Sequence, residues 1–120
     1  MNHELGIVES HFADIVWKGA PMSTAELIKQ CEAQLHWKRT TTYTVLKKLC
    51  ERGLFQMKGG TVTALVSRED YYAARSERFV EETFDGSLPA FIAAFTKRKQ
   101  LSEDEVAQIK AMIEAIGEEE

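Results

Sequence analysis

The segment from Trp37 to Leu54 reads WKRTTTYTVLKKLCERGL, and its structure decides the fold. Five β-branched residues and a tyrosine at positions 40–45 favour a strand by local propensity. Core-type residues nevertheless recur at three-and-four spacing, and Gly53 stands where a helix would end. A threonine in a helix costs only about a few tenths of a kcal/mol relative to Ala, and tertiary packing can override a cost of this size. We therefore predict a helix from Arg39 or Thr40 to Arg52, with these residues inward: Thr42, Val45, Leu46, Leu49 and Cys50.

Two helices are predicted before this segment. Apolar residues at helical spacing indicate a first helix from Ile7 to Lys18, with Gly19 as its C-terminal cap. The sequence Ser23-Thr24-Ala25-Glu26 is a capping box, in which the Ser and Glu side chains bond each other's free backbone amides. It begins a second helix that extends to about Ala33 and is expected to bury four residues, Ala25, Leu27, Ile28 and Cys31.

A hairpin is predicted after the third helix. The strand-like runs Leu54–Met57 and Thr61–Val66 flank Lys58-Gly59-Gly60, and a Gly-Gly pair between two such runs is typical of a tight turn. Three helices followed by a two-stranded hairpin are the order of a winged helix-turn-helix, which we assign to residues 1–68.

Residues 69–120 are predicted to be helical, over Glu69 to Phe84, Leu88 to Lys97 and from Ser102 onward. The second capping box, Ser102 to Glu105, begins the last helix.

Each of these helices carries an apolar stripe, and three short helices cannot bury so much apolar surface alone. We therefore expect a two-fold partner, and packing back onto the N-terminal domain is the alternative. The fold class is mainly α (α+β), a winged helix-turn-helix with a C-terminal helical dimerisation region. The predicted dimer interface comprises Phe79, Phe84, Leu88, Phe91, Phe95, Val106, Ile109, Ile113 and Ile116.

The charges are unevenly distributed along the chain. The formal net charge is −4, yet residues 36–68 contain seven basic residues and one acidic residue, a balance of +6. Residues 101–120 contain one basic and seven acidic residues, a balance of −6. This pattern favours one surface that faces phosphate and another that faces solvent or a partner.

The outward face of the third helix has the chemistry of a DNA-reading surface. Hydroxyl groups bond base edges or phosphates, and a threonine methyl group can contact a thymine methyl. We assign base reading to Thr40, Thr41, Tyr43 and Thr44. We assign phosphate contacts to Lys38, Arg39, Lys47, Lys48 and Lys58. The sequence therefore predicts sequence-specific binding to double-stranded DNA. A winged-helix module that binds only proteins is the alternative.

Other classes of function find little support. No stretch approaches the roughly 18 apolar residues of a membrane span, so we predict no membrane insertion and a cytoplasmic location. Cys31 and Cys50 are expected to be reduced thiols in the core. His3, His11 and His36 fall in three separate segments without metal-ligand spacing. No nucleophile elbow or phosphate cradle is present, and we expect no cofactor, no metal and no enzymatic activity.

Several motifs resemble those of the penicillinase repressors and their relatives, the BlaI/MecI/CopY family. The resemblance runs nearly from end to end of the chain. Leu5-Gly6-x-x-Glu9 with Ile15-Val16-Trp17 resembles the family's opening helix. Trp37 with the Thr-rich helix and Lys48-Leu49-x-x-x-Gly53-Leu54 resembles its recognition segment. Phe84-Asp85-Gly86-Ser87-Leu88 through Phe95, with Leu101-Ser102-x-x-Glu105, resembles its dimerisation region. It implies a homodimeric transcriptional repressor on a palindromic operator, with genes of β-lactam resistance as the regulated class.

The resemblance also bears on induction. In several family members a membrane sensor protease triggers cleavage at an Asn-Phe bond in the penultimate helical region, which makes such a protease a candidate partner. The corresponding pair here is Ala94-Phe95, so this chain lacks the Asn. Copper-responsive members carry a C-terminal pair of Cys-x-Cys motifs, and the C-terminal segment here contains no Cys.

Overall fold

A computed structural model describes residues 4–118, except for the side chain of residue 118. The elements in order are α1 (Ile7–Gly19), β1 (Met22–Ser23), α2 (Thr24–Leu35), α3 (Arg39–Glu51), β2 (Phe55–Lys58), β3 (Thr61–Ala64), α4 (Arg68–Phe84), α5 (Leu88–Arg98) and α6 (Glu103–Glu118). The predicted mainly α fold with a winged helix is confirmed. The chain divides into two compact units, of which the first ends at Ser76 and the second begins at Glu77.

The first two helices match their predicted positions, but α1 ends differently. Gly19 belongs to the helix, and the cap is Ala20, which has an extended backbone and whose N–H makes the last helical bond, to Val16 O at 2.8 Å. The prediction of Gly19 as the cap was wrong, because Pro21 already drives the residue before it out of the helical region.

Helix α2 begins at the predicted cap, where Ser23 Oγ accepts from Glu26 N at 3.0 Å. The helix buries Leu27 and Cys31 completely. Ala25 is exposed, contrary to prediction, because a position two residues before Leu27 is rotated about 200° around the helix axis.

The predicted hairpin is confirmed and belongs to a three-stranded antiparallel sheet of order β1-β3-β2. Gly59 and Gly60 both have positive φ, 59° and 75°, as a two-residue turn between twisted strands requires. The short strand β1 was not predicted. It pairs Met22 with Val62, and two residues are too few to show an alternating pattern in sequence.

The core of the first unit lies between the three helices and the sheet. Its largest fully buried side chains are Phe12, Phe55, Leu27, Leu46, Leu49, Val16 and Val62. Trp37 stacks on Phe12 with ring centroids 5.6 Å apart, and Trp17 Nε1 donates to Val66 O at 2.9 Å. Both tryptophans therefore anchor the core. The rings of Tyr71 and Tyr72 in α4 lie 5.7 and 6.1 Å from that of Trp17, so the first unit continues past residue 68.

The second unit contains the end of α4 together with α5 and α6, and its helices agree with the prediction. The rings of Phe79, Phe84 and Phe91 form a cluster with centroids 5.7 to 5.9 Å apart. The predicted capping box at α6 is complete, since Ser102 N donates to Glu105 Oε1 at 3.0 Å and Glu105 N donates to Ser102 Oγ at 3.1 Å. None of the side chains of α5 is fully buried within the chain.

Replacement of Phe12 tests this core. Phe12→Ala removes a fully buried ring and should lower the free energy of unfolding of the first unit by about 3–5 kcal/mol. The matched control is Val8→Ala, one turn earlier and more than half exposed, for which we expect a change within about 0.5 kcal/mol. Both tryptophans lie in the first unit, so tryptophan fluorescence during denaturant unfolding measures its stability. Equal losses in the two variants would contradict this account of the core.

Candidate nucleic-acid interface

Helix α3 turns one face into the core and the opposite face to solvent. Thr42, Leu46 and Leu49 are almost completely buried, and the Thr42 hydroxyl donates to the Lys38 carbonyl oxygen at 3.3 Å within the helix. The predicted helix is thereby confirmed, and the β-branched residues do not form a strand. The face away from the core exposes Thr40, Thr41, Thr44, Lys47 and Lys48.

The candidate base-reading side chains differ in how firmly contacts within the chain hold them. Thr44 Oγ1 donates to Thr40 O at 2.9 Å, which leaves its oxygen lone pairs as acceptors and allows its hydroxyl to rotate toward a ligand. Tyr43 is half-buried beside the hairpin. With Leu46, Lys47, Cys50 and Met57 it lines a cleft of about 280 Å³ between α3 and β2. Its ring also lies 5.7 Å from the Arg39 guanidinium, a cation–π contact that orients both side chains.

The beginning of α3 forms a second part of this surface. Residues 36–38 join α2 to α3, and His36 adopts the left-handed conformation that ends α2. Lys38 is the N-cap of α3, and both Lys38 and Arg39 are exposed. Free backbone amides at a helix N-terminus bind phosphate, and two adjacent cations strengthen that preference.

Lys48 has a partner that the sequence did not reveal. Its ammonium lies 2.9 Å from the Glu9 carboxylate of α1, and Arg52 lies 3.6 Å from the same carboxylate. The hydrogen bond from Lys48, followed by one from the Gly6 amide, lowers the pKa of Glu9. Nothing in the local sequence predicts this pair, because packing brings the two helices together from distant parts of the chain.

Lys58 lies apart from helix α3, at the tip of the hairpin. It is the last residue of β2, and it is exposed directly before the Gly59-Gly60 turn. Thr61 faces it across the hairpin. The candidate phosphate-binding residues thus fall into three groups: the start of α3, the exposed middle of α3 and the hairpin tip.

The candidate dimer residues are mainly exposed within the chain. Phe84 and Phe91 are half-buried in the aromatic cluster. The remaining residues of the predicted interface are exposed, and they are Phe79, Leu88, Phe95, Val106, Ile109, Ile113 and Ile116. Ile92 of α5 is exposed as well. Met112 is also exposed and was missed, although it continues the spacing of Ile109, Ile113 and Ile116.

Residues 4–118 offer no metal site. No group of three or more His, Cys, Asp or Glu side chains in this range could hold a metal ion, and His3 lies outside it. Cys31 is buried and Cys50 half-buried, both as free thiols, and burial raises the pKa of each. Within the same range, no helix has the length and apolar character needed to cross a membrane.

Comparison with known proteins covers nearly the whole chain. The sequence model of a family described as penicillinase repressor matches residues 5–115. The penicillinase repressor of Bacillus licheniformis is 26% identical over 115 residues, which cover 92% of this chain and 90% of that protein. The methicillin resistance regulatory protein MecI of Staphylococcus aureus strain Mu50 is 22% identical, with 92% and 94% covered. The MecI protein of Mammaliicoccus sciuri is 21% identical over the same shares.

These matches extend through both units, so they do not rest on the winged helix alone. The resemblance inferred from the sequence motifs is confirmed. Proteins of this family are regulators and not enzymes, which agrees with the expectation of a non-catalytic chain. This protein belongs to the penicillinase repressor family and is a transcriptional repressor.

Proposed function

We propose that this protein represses transcription as a homodimer that binds a palindromic operator in double-stranded DNA through α3. The observation that carries the proposal is the exposed face of α3, which combines hydroxyl groups with cations on a helix whose other face is locked into the core. A rigid helix with this chemistry suits the major groove, which is wide enough to admit it. The names of the relatives, penicillinase repressor and methicillin resistance regulator, support genes of β-lactam resistance as the regulated class.

In this function the two kinds of side chain have different tasks. Thr40, Thr41, Tyr43 and Thr44 contact base edges and so determine the sequence that is bound. Lys38, Arg39, Lys47 and Lys58 contact phosphates and so determine the register and most of the salt-dependent affinity. Lys48 is not counted with them, because its ammonium is already paired with Glu9.

The second unit supports a homodimer. Ile113 and Ile116 of α6 are 58% and 64% exposed, and Phe95 of α5 is 47% exposed. Large apolar side chains exposed in this number on short helices are unusual on a monomer and support an interaction surface. A two-fold partner buries the same stripe on both chains, and a two-fold dimer matches an operator whose half-sites lie about 34–36 Å apart.

The residues at Ala94-Phe95 give no support to induction by a sensor protease. Both residues are exposed on α5, but residue 94 is not the Asn that cleaved family members carry.

A winged-helix module without DNA binding is the alternative function. An intact dimer that fails to shift any duplex, even at low salt, would favour that alternative.

The base-reading face can be tested by truncation. Tyr43→Ala and Thr44→Ala should each weaken operator binding by about 1–3 kcal/mol for each lost base contact, with little loss on random DNA. The operator is located by footprinting upstream of the protein's own gene, and affinity is measured by electrophoretic shift. Ser76→Ala is the control, because Ser76 makes the same kind of hydrogen bond to its own helix, at 2.8 Å to Tyr72 O. If both α3 variants bind the operator as tightly as the wild type, α3 is not the reading helix.

The phosphate contacts can be tested through salt dependence. Lys47→Ala or Lys58→Ala should reduce the slope of log affinity against log salt by roughly 0.9 for each lost contact, or about two per dimer. The reduction should be similar on operator and random DNA, since phosphates carry no sequence information. Lys18→Ala, at an exposed lysine of α1, serves as the control. A changed sequence preference with an unchanged slope would refute this division of tasks.

The dimer can be tested with a charge in the apolar stripe. Ile109→Asp should yield a monomer with an intact first unit, because burying an unpaired carboxylate between two chains is strongly unfavourable. Operator binding should weaken by orders of magnitude, since one half-site no longer benefits from the second. Sedimentation reports the mass, and Ile7→Asp, at an exposed isoleucine of the first unit, is the matched control. A wild type that is monomeric at micromolar concentration would count against the dimer.

A further inference from the structure

The carboxylate of Glu9 is held at both oxygens. Oε1 accepts a hydrogen bond from Gly6 N at 3.1 Å and lies 3.6 Å from Arg52 Nη1, while Oε2 lies 2.9 Å from Lys48 Nζ. The Glu9 side chain is only 19% exposed. The Gly6 amide and Arg52 keep the carboxylate in place independently of Lys48. The Glu9 carboxylate is therefore a fixed negative charge beside α3, held more firmly than the carboxylate of an ordinary surface ion pair.

Lys48 itself belongs to the face that the proposed function turns toward DNA. Its side chain is 54% exposed, it follows Thr44 by one helical turn, and it neighbours Lys47. Lys47 is exposed in the same way, and no ion pair involves it within the described part of the chain. The two lysines are adjacent on one helix, about 100° apart around its axis. Lys48 has a carboxylate at its ammonium, and Lys47 lies instead beside the cleft that Tyr43 and Met57 line.

This difference changes what each lysine contributes on DNA. A free lysine that contacts a phosphate releases a condensed counterion, which produces the salt-dependent affinity shared by all sequences. A lysine that already holds a carboxylate must exchange one anion for another, and it gains little from a phosphate. The pair therefore removes sequence-independent affinity and leaves the contribution of the base-reading side chains unchanged.

We propose that Glu9 masks the Lys48 ammonium from DNA phosphates and thereby lowers the sequence-independent part of the affinity, on random DNA and on the operator alike. The inference rests on the proposed function, because it requires α3 to face DNA. Glu9 does not touch DNA in this account and acts through Lys48. The hydrogen bonds from Lys48 and from the Gly6 amide lower the pKa of Glu9, because both favour its charged form.

The test compares salt titrations of the full-length protein on a random duplex and on the operator duplex. Glu9→Gln keeps the shape of the side chain and removes its charge. It should tighten binding to the random duplex and steepen the salt slope by roughly 0.9 for each freed lysine, an additional factor of about three to four in affinity between 50 and 200 mM salt. The operator duplex should show the same gain, because phosphates carry no sequence information. The double variant Glu9→Gln with Lys48→Ala should lose this gain.

One comparison keeps the inference falsifiable if Glu9→Gln fails to fold, which tryptophan fluorescence would reveal. In the otherwise wild-type chain, Lys48→Ala should flatten the salt slope less than Lys47→Ala does, because only Lys47 is unmasked. Equal flattening by the two variants would overturn the masking role, as would an unchanged slope in a folded Glu9→Gln variant. Failure of the wild type to bind either duplex would instead overturn the proposed function, and the inference would fall with it.

Discussion

Burial of Thr42, Leu46 and Leu49 against the first two helices and the sheet determines which side chains α3 presents to solvent. A thirteen-residue helix that contains four threonines in its first half would be marginal in isolation. The core supplies the missing stability, and it also fixes the rotation of the helix about its axis. Because one face is fully buried, the threonines and lysines on the opposite face have defined directions. The proposed reading surface is therefore a consequence of core packing.

The same core joins α3 to the rest of the first unit. Trp37, two residues before α3, stacks on Phe12 in the middle of α1. Trp17, near the C-terminal end of α1, contacts Phe55 of the hairpin. The turn before α3 and the hairpin after it are thus both attached to the first helix. Lys58 at the hairpin tip owes its position to this packing, since a free two-stranded hairpin is only marginally stable in water.

Ion pairs occupy some of the cations in the basic segment, residues 36–68. Residues 36–68 carry a balance of +6, yet Lys48 and Arg52 are paired with Glu9, and Arg68 lies 2.9 Å from Asp14. Their acidic partners both come from α1, outside the basic segment. Within residues 36–68, the cations left without such a partner are Lys38, Arg39, Lys47 and Lys58. They are the residues to which the proposed function assigns phosphate contacts.

The sequence by itself determined the features that depend on near neighbours. Apolar spacing identified α3 despite its threonines, Gly59-Gly60 identified the hairpin, and Ser102 with Glu105 identified the start of α6. The motifs also identified the family, because they are distributed over most of the chain. Only the tertiary structure decided the pairing of Met22 with Val62, the extension of the first unit to Tyr71 and Tyr72, and the ion pair between Glu9 and Lys48. Each of these joins residues that are far apart in sequence, and such contacts depend on how whole helices and strands pack, which local spacing does not encode.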